Sequence, residues 1–291
     1  SPFTLKYIEK NFYLFYLEKN ISIVYVDKKD YIPNVKTHSG LLYSKMVQRN
    51  NMRIRIRHNS ICLFKQNGKG CHFCHAKNEE YYNFDLDDIK ESFLFYLENF
   101  EFKEIMIGGA SNDRIYEPTL IKDILKIIRI HTDKPIYIMS LPPQDLNDIQ
   151  EYKKLGANEI AFNLEIYDET ISKEIMPGKG MISRNEYLKA LQKAVEVFGN
   201  NGQVRSMLIV GLEPLESFKK GIEALCKIGV SPMISPFRPM QNTKLANYVP
   251  PNFEECKQYI NTAIEITKKY NIKLGPPNIY NQNNTFNPID I

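Results

Sequence analysis

Met52-Arg53-Ile54-Arg55-Ile56-Arg57 is where the chain becomes readable as a fold. It alternates strictly, so the isoleucines share one face of a strand and the arginines the other. If the isoleucines pack on helices, three cations point inward, an arrangement that suits an anionic substrate. The alternative is a strand with its charges turned to solvent. Five further short runs follow: Glu104–Gly109, Pro135–Ser140, Glu159–Glu165, Val204–Gly211 and Ser231–Pro236. Each of the six runs precedes a longer segment with apolar residues at helical spacing, as in Ile121, Ile124, Leu125 and Ile128. The predicted helices are Leu86–Phe100, Leu120–His131, Asp145–Leu155, Asn185–Phe198, Leu215–Ile228 and Phe253–Tyr270, and Gly156, Gly199 and Gly229 sit where three of them should stop.

Strict strand–helix alternation predicts an α/β fold with a parallel sheet and right-handed crossovers. Eight units would close a TIM barrel; six leave a partial (β/α)6 barrel or a doubly wound sheet. In either, chemistry collects at the carboxyl ends of the strands. The expected organisation is an N-terminal cap over 1–51, a barrel over 52–275 and a Pro- and Asn-rich tail over 276–291. Within the cap the pattern predicts a helix over Leu5–Asn20 and a strand over Ile21–Asp27.

Composition sets the outer limits. The 291 residues are 43% hydrophobic and 25% charged, enough for a sizeable core. A net charge of +4 does not indicate nucleic acid. No apolar run approaches the roughly 20 residues of a membrane helix. The start of the chain has no basic-then-apolar signal pattern, so a cytoplasmic protein is expected. Five cysteines, three of them clustered, make a poor disulfide framework and fit a reducing compartment. Cys226 and Cys256 lie inside helical patterns and read as core thiols.

The other three follow the first strand directly, in Cys62-Leu63-Phe64-Lys65-Gln66-Asn67-Gly68-Lys69-Gly70-Cys71-His72-Phe73-Cys74-His75. Thiolates ligate both zinc and iron–sulfur clusters. Three of them on a cubane leave one iron open for a chelating substrate. With His72 or His75 as fourth ligand, the same loop makes a closed zinc centre. The residues of the loop leave both open.

Cys71-x-Phe73-Cys74 resembles the C-x-aromatic-C end of the radical S-adenosylmethionine (SAM) signature, with Cys62 as third ligand. The first gap is eight residues where three is usual, a divergent C-x8-C-x2-C form. The resemblance runs over roughly 52–275 as six βα units in the expected order, and the lack of a large added domain is similar to the biotin synthase-like branch. It implies a [4Fe-4S] cluster on Cys62, Cys71 and Cys74. It also implies SAM chelated to the open iron, and cleavage to a 5′-deoxyadenosyl radical that abstracts hydrogen from a small or carrier-bound organic substrate. An electron donor such as flavodoxin or ferredoxin is implied as well. Sulfur insertion, in the manner of biotin or lipoyl synthases, would need a sulfur-supplying partner protein. The alternative from another class is a zinc-binding β/α scaffold. Neither charge nor an added binding domain supports an RNA-modifying role.

The resemblance also implies SAM contacts. Gly108-Gly109-Ala110 resembles the family's G-G-E motif, with Ser111, Asn112 or Asp113 in place of the acidic residue. Asn163 and Glu165 end the fourth strand two residues apart, on one face, and are candidates for the ribose or a bound substrate. The long loop after them carries Lys173, Lys179 and Arg184, of which Arg184 is the expected partner of the SAM carboxylate. Ser206 to Glu213 resembles the adenine-supporting motif with its Glu displaced by one, which leaves Ser206 as a polar candidate there.

Overall fold

The computed structural model describes residues 3–24, 34–75, 84–111 and 113–276. Its contacts divide the chain into two units, the first ending at Pro33 and the second beginning at Asn34.

The first unit corrects the expected helix. Residues 3–24 form an antiparallel meander of β1 (Phe3–Ile8), β2 (Asn11–Tyr16) and β3 (Lys19–Val24). Both connections are two-residue turns in which each residue has positive φ, Glu9 and Lys10 in one, Leu17 and Glu18 in the other. That is the mirror-image turn whose twist matches a hairpin. Such turns normally announce themselves with Asn-Gly or Asp-Gly, and neither is present here. The aromatic and β-branched run between them has the composition of strands, and that preference prevails over helical spacing. The Asp27 end of the expected strand, like Asn112 and the Asn-rich tail beyond Pro276, lies outside the described residues.

The second unit is the α/β fold. A seven-stranded sheet runs in the order β10-β9-β8-β7-β6-β5-β4. Its strands are β4 (Val47–Asn50), β5 (Arg53–Ile56), β6 (Glu104–Ile107), β7 (Ile136–Ser140), β8 (Glu159–Phe162), β9 (Val204–Val210) and β10 (Ser231–Pro236). β4 pairs antiparallel with β5, and every later pair is parallel. Strand order in space follows strand order in sequence throughout. A doubly wound sheet reverses direction at its first strand; this sheet never does, so it is a partial barrel. Residues 34–51, placed with the cap by the sequence, belong to this unit, because β4 extends the sheet edge at β5.

The six expected helices are present as α3 (Leu86–Asn99), α4 (Glu117–Arg129), α5 (Asn147–Lys154), α7 (Arg184–Phe198), α8 (Leu215–Lys227) and α9 (Phe253–Tyr270). Short helices α1 (Tyr43–Met46), α2 (Leu63–Gln66) and α6 (Glu169–Ile175) fill connections. Capping boxes start α7 (Ser183 with Glu186) and α9 (Asn252 with Glu255), satisfying backbone donors that a helix end otherwise leaves orphaned.

Strand alternation sorts two cores. Ile54, Ile56, Ile105, Ile107, Ile136 and Ile138 are fully buried in the main apolar cluster, which includes Ile89, Phe93 and Ile121 of α3 and α4. Residues of opposite parity, Met106, Tyr137 and Ala161, form a separate cluster. At the amino ends of the strands, Arg53 pairs with Glu104, and Arg205 with Glu159 at 2.5 Å. The Tyr137 ring lies 5.3 Å from one guanidinium and 4.1 Å from the other. This charged layer forms the barrel floor and leaves the carboxyl ends for a site.

Candidate functional site

A cavity of about 590 Å³ opens at those carboxyl ends. Cys62, Cys71 and Cys74 all line it, with Gly109 and Ser111 from the end of β6, Met139 from β7, and Asn163 and Glu165 just after β8. The loop that carries the cysteines is held by its backbone. Cys62 precedes α2, and the next N–H, from Leu63, donates to Ser111 O at 2.9 Å. His72 N donates to Ile175 O at 2.8 Å, and Gly178 N to Lys69 O at 2.9 Å. Burial pushes the Cys71 thiol up to about 12, against the opposing pull of the Lys179 ammonium. As a set the three thiols do not all approach within 4.8 Å of one another; among the described residues that spacing belongs to His38, Asp88 and Glu91. Those three form a hydrogen-bonded clasp between residues 38–43 and α3, and none lines the cavity.

Of the expected SAM contacts, Gly109, Ser111, Asn163 and Glu165 line the cavity. A Cβ on Gly109 would lie 2.5 Å from Asn59 Oδ1 and 3.1 Å from the His58 ring, so only glycine fits against those side chains. Gly108 sits behind it, its carbonyl accepting Arg55 Nε at 3.3 Å. Asn163 Oδ1 accepts Met207 N–H at 3.3 Å, which fixes the amide's orientation. Glu165 holds φ of 67°, a left-handed conformation rare for glutamate and the kind of local strain that gathers at functional sites. Its backbone bonds the β9 edge on both sides, to Met207 O and from Ile209 N.

Two expected residues lie elsewhere. Ser206 is fully buried, and its Oγ accepts Leu164 N–H at 3.0 Å, a tie between neighbouring strands. Arg184 begins α7 and stacks over the Tyr167 ring at 4.5 Å, with Glu169 as its ion-pair partner. Of the three cations in the loop after β8, Lys179 lines the cavity, and its Nζ donates to Glu165 Oε1 at 3.0 Å. Burial alone would lower its pKa, but the Glu165 carboxylate outweighs that and raises it. Two glycines place Lys179. A Cβ on Gly178 would strike the Phe64 ring at 2.6 Å, and one on Gly180 would strike Ser172 O at 2.5 Å. Lys173 is exposed. Glu213 accepts the N–H groups of Tyr167 and Asp168, pinning the turn before α6. Of the histidines weighed as zinc ligands, His75 lines the cavity, and His72 lies 3.2 Å from Lys244 Nζ.

Sequence reading missed His58, for which a lone histidine after a strand offers no signal. It is 3% exposed, and its Nε2 lies 3.9 Å from Glu117 Oε1. Burial, then Arg55 and Arg57, lowers its pKa to about 4. The unfolded chain therefore binds a proton that the folded barrel refuses between pH 6.5 and about 4. His58 contributes stability that is fully present above pH 6.5 and falls as pH drops towards 4, by roughly 3 kcal/mol in all. Urea titrations across that window should show a shallower decline for His58→Gln than for the wild type. Parallel declines would mean that His58 titrates normally.

A profile of the radical SAM superfamily matches residues 56–225. Over 137 residues, 47% of this chain, the sequence is 28% identical to bacteriochlorophyllide c C-7(1)-hydroxylase of Chlorobaculum limnaeum; the match covers 34% of that protein, so the chain spans about a third of that relative's length. Methylornithine synthase (PylB) superposes with a TM-score of 0.56 at 18% identity, over 75% of this chain and 64% of that one. A radical SAM methyltransferase from Sphaerobacter thermophilus superposes with a TM-score of 0.60 at 10% identity, over 95% and 77%. At these identities the structural likeness concerns the fold. No helix among the described residues is long and apolar enough to cross a membrane.

Proposed function

Because the chain belongs to the radical SAM superfamily, we propose that it is a radical SAM enzyme whose Cys62, Cys71 and Cys74 hold a [4Fe-4S] cluster and whose substrate is a small or carrier-bound organic molecule. One observation carries the reading: a single loop after β5 brings three thiols to one cavity at the carboxyl ends of the strands, facing Gly109, Asn163 and Glu165.

When bound, the cluster supplies the electron that cleaves SAM to methionine and a 5′-deoxyadenosyl radical, which takes a substrate hydrogen; a flavodoxin or ferredoxin fits as reductant. The chain's own residues prepare the place. Lys179 stands near Cys71 and favours its thiolate. Gly109 lines the cavity at the end of β6, and glycine is needed there because a Cβ would strike Asn59. Asn163, fixed through its Oδ1, and Glu165, fixed through Lys179, offer polar groups for a ribose or an ammonium. Within the superfamily we propose the biotin synthase-like branch. Sulfur insertion there would draw on a partner protein, since Cys226 and Cys256 lie in helices α8 and α9 and line no part of the cavity.

Anaerobic reconstitution should give a brown protein with about four irons and four sulfides per chain. Dithionite and SAM should then yield 5′-deoxyadenosine. A colourless protein holding one zinc and no iron after the same treatment would end the radical reading.

A further inference from the structure

Arg53, Arg55 and Arg205 on the strands, and Arg57 just past β5, enter the barrel or its cavity, and they are not treated alike. Arg53 and Arg205, at the floor, each hold a buried carboxylate. Arg55 stands two residues beyond Arg53 on β5 and lines the cavity. No carboxylate pairs with it among the described residues; its contact is Nε to Gly108 O at 3.3 Å. Its charge is depressed by burial and by the neighbouring Arg57, not relieved by an acid. A buried charge without a counter-charge is costly, and a fold that neutralises two arginines one layer below leaves this one exposed to whatever fills the cavity. Lys45, Gln48 and Arg57 line the same cavity. The acids lining it are engaged: Glu165 with Lys179, and Glu117 Oε1 with the Leu141 N–H at 3.3 Å.

We propose that the substrate carries an oxyanion, a carboxylate or a phosphate, which seats on Arg55 at the β5 wall of the cavity. That this anion belongs to the substrate rests on the radical SAM reading; that an anion binds there does not. The planar guanidinium offers paired donors suited to either group. An arginine kept for a ligand also leaves a signature that a structural arginine does not. Removing it should stabilise the empty protein while abolishing its response to anions.

The test uses the reconstituted holoenzyme in a buffer free of other oxyanions, with inorganic phosphate and acetate as separate probes and thermal midpoint as readout. Wild type should be stabilised by at least one probe at millimolar concentration; phosphate alone marks a phosphate-bearing substrate, acetate alone a carboxylate. Arg55→Gln should melt a few degrees higher than wild type without anion, and its apparent affinity should fall roughly tenfold or more. Arg55→Lys should retain part of the response. Saturating SAM should leave phosphate or acetate binding intact. The proposal is overturned if neither probe stabilises the wild type, if Arg55→Gln melts lower and still responds, or if SAM displaces the anion, which would make Arg55 a SAM contact. Anion binding through Arg55 in a protein that takes up neither cluster nor SAM would instead overturn the radical reading and leave the anion site standing.

Discussion

Replacing Cys74 by alanine should give a folded barrel that carries no stable cluster and forms no 5′-deoxyadenosine above background. Cys74 is the cleanest of the three positions for this experiment. Cys71 packs against the apolar cluster of Ile166, Ile175 and Phe237, so its loss would disturb packing as well as ligation. Cys62 occupies the N-cap position of α2, next to the Leu63–Ser111 backbone bond that ties the loop to β6. Cys74 is half-buried and outside those clusters, and the loop around it is anchored through the backbone of Leu63, Lys69, His72 and Gly178. Its truncation should therefore cost within about 1 kcal/mol of stability. Metal binding is a different matter. Loss of a group that merely supports a ligand costs roughly 10–100-fold in affinity, so loss of the ligand itself should reduce 5′-deoxyadenosine formation by more than about 100-fold. Iron content, the visible spectrum and product formation should fall together while the circular dichroism spectrum stays that of wild type. Full iron occupancy and full turnover in Cys74→Ala would remove Cys74 from the ligand set.

The barrel was legible because its signals are periodic and redundant. Each strand is a short β-branched run, each helix repeats its apolar face several times, and the helices terminate where Gly156, Gly199 and Gly229 take positive φ. What the sequence leaves undecided, partial barrel or doubly wound sheet, depends on the spatial order of strands, which no local pattern records. The meander over 3–24 went unread for the opposite reason. Its turns are built by Glu9-Lys10 and Leu17-Glu18, residues that take left-handed φ only because the paired strands hold them there.

The site shows the same division. Cys62, Cys71, Cys74, Gly109, Asn163 and Glu165 stand out in the sequence by type and by position near strand ends, and they line one cavity. Arg184 and Lys179 differ in a way that sequence hides. Both belong to one long loop, and arginine is the better anion ligand in general. Position is decided by steric detail instead: Gly178 against Phe64 and Gly180 against Ser172 press the Lys179 turn onto the cysteine loop. Arg184, at the first turn of α7, is taken up by Tyr167 and Glu169. Ser206 is drawn into an interstrand bond because β9 buries it completely.

The barrel floor makes the largest stability prediction. Arg205 is 1% exposed and pairs with Glu159 at 2.5 Å, while its guanidinium lies 4.1 Å from the Tyr137 ring. With Arg53 and Glu104 it completes a layer of two cations and two carboxylates whose charges cancel. Arg205→Met keeps most of the side-chain volume and removes one cation, leaving Glu159 buried without its partner. Breaking a buried pair in this way costs about 3–5 kcal/mol, which for a domain of this size lowers the melting midpoint by roughly 10 °C. The double variant Arg205→Met, Glu159→Leu removes both charges and should recover most of that loss, because an apolar pair of similar volume has no desolvation penalty to offset. Recovery in the double variant separates charge from packing. If packing were the cause, the second substitution would add to the damage. Equal melting of Arg205→Met and wild type would mean that the floor does not depend on the Arg205–Glu159 pair. The same substitution chemistry should destabilise at the floor, where the cation answers a carboxylate, and stabilise one layer higher, where the answering charge arrives with a ligand.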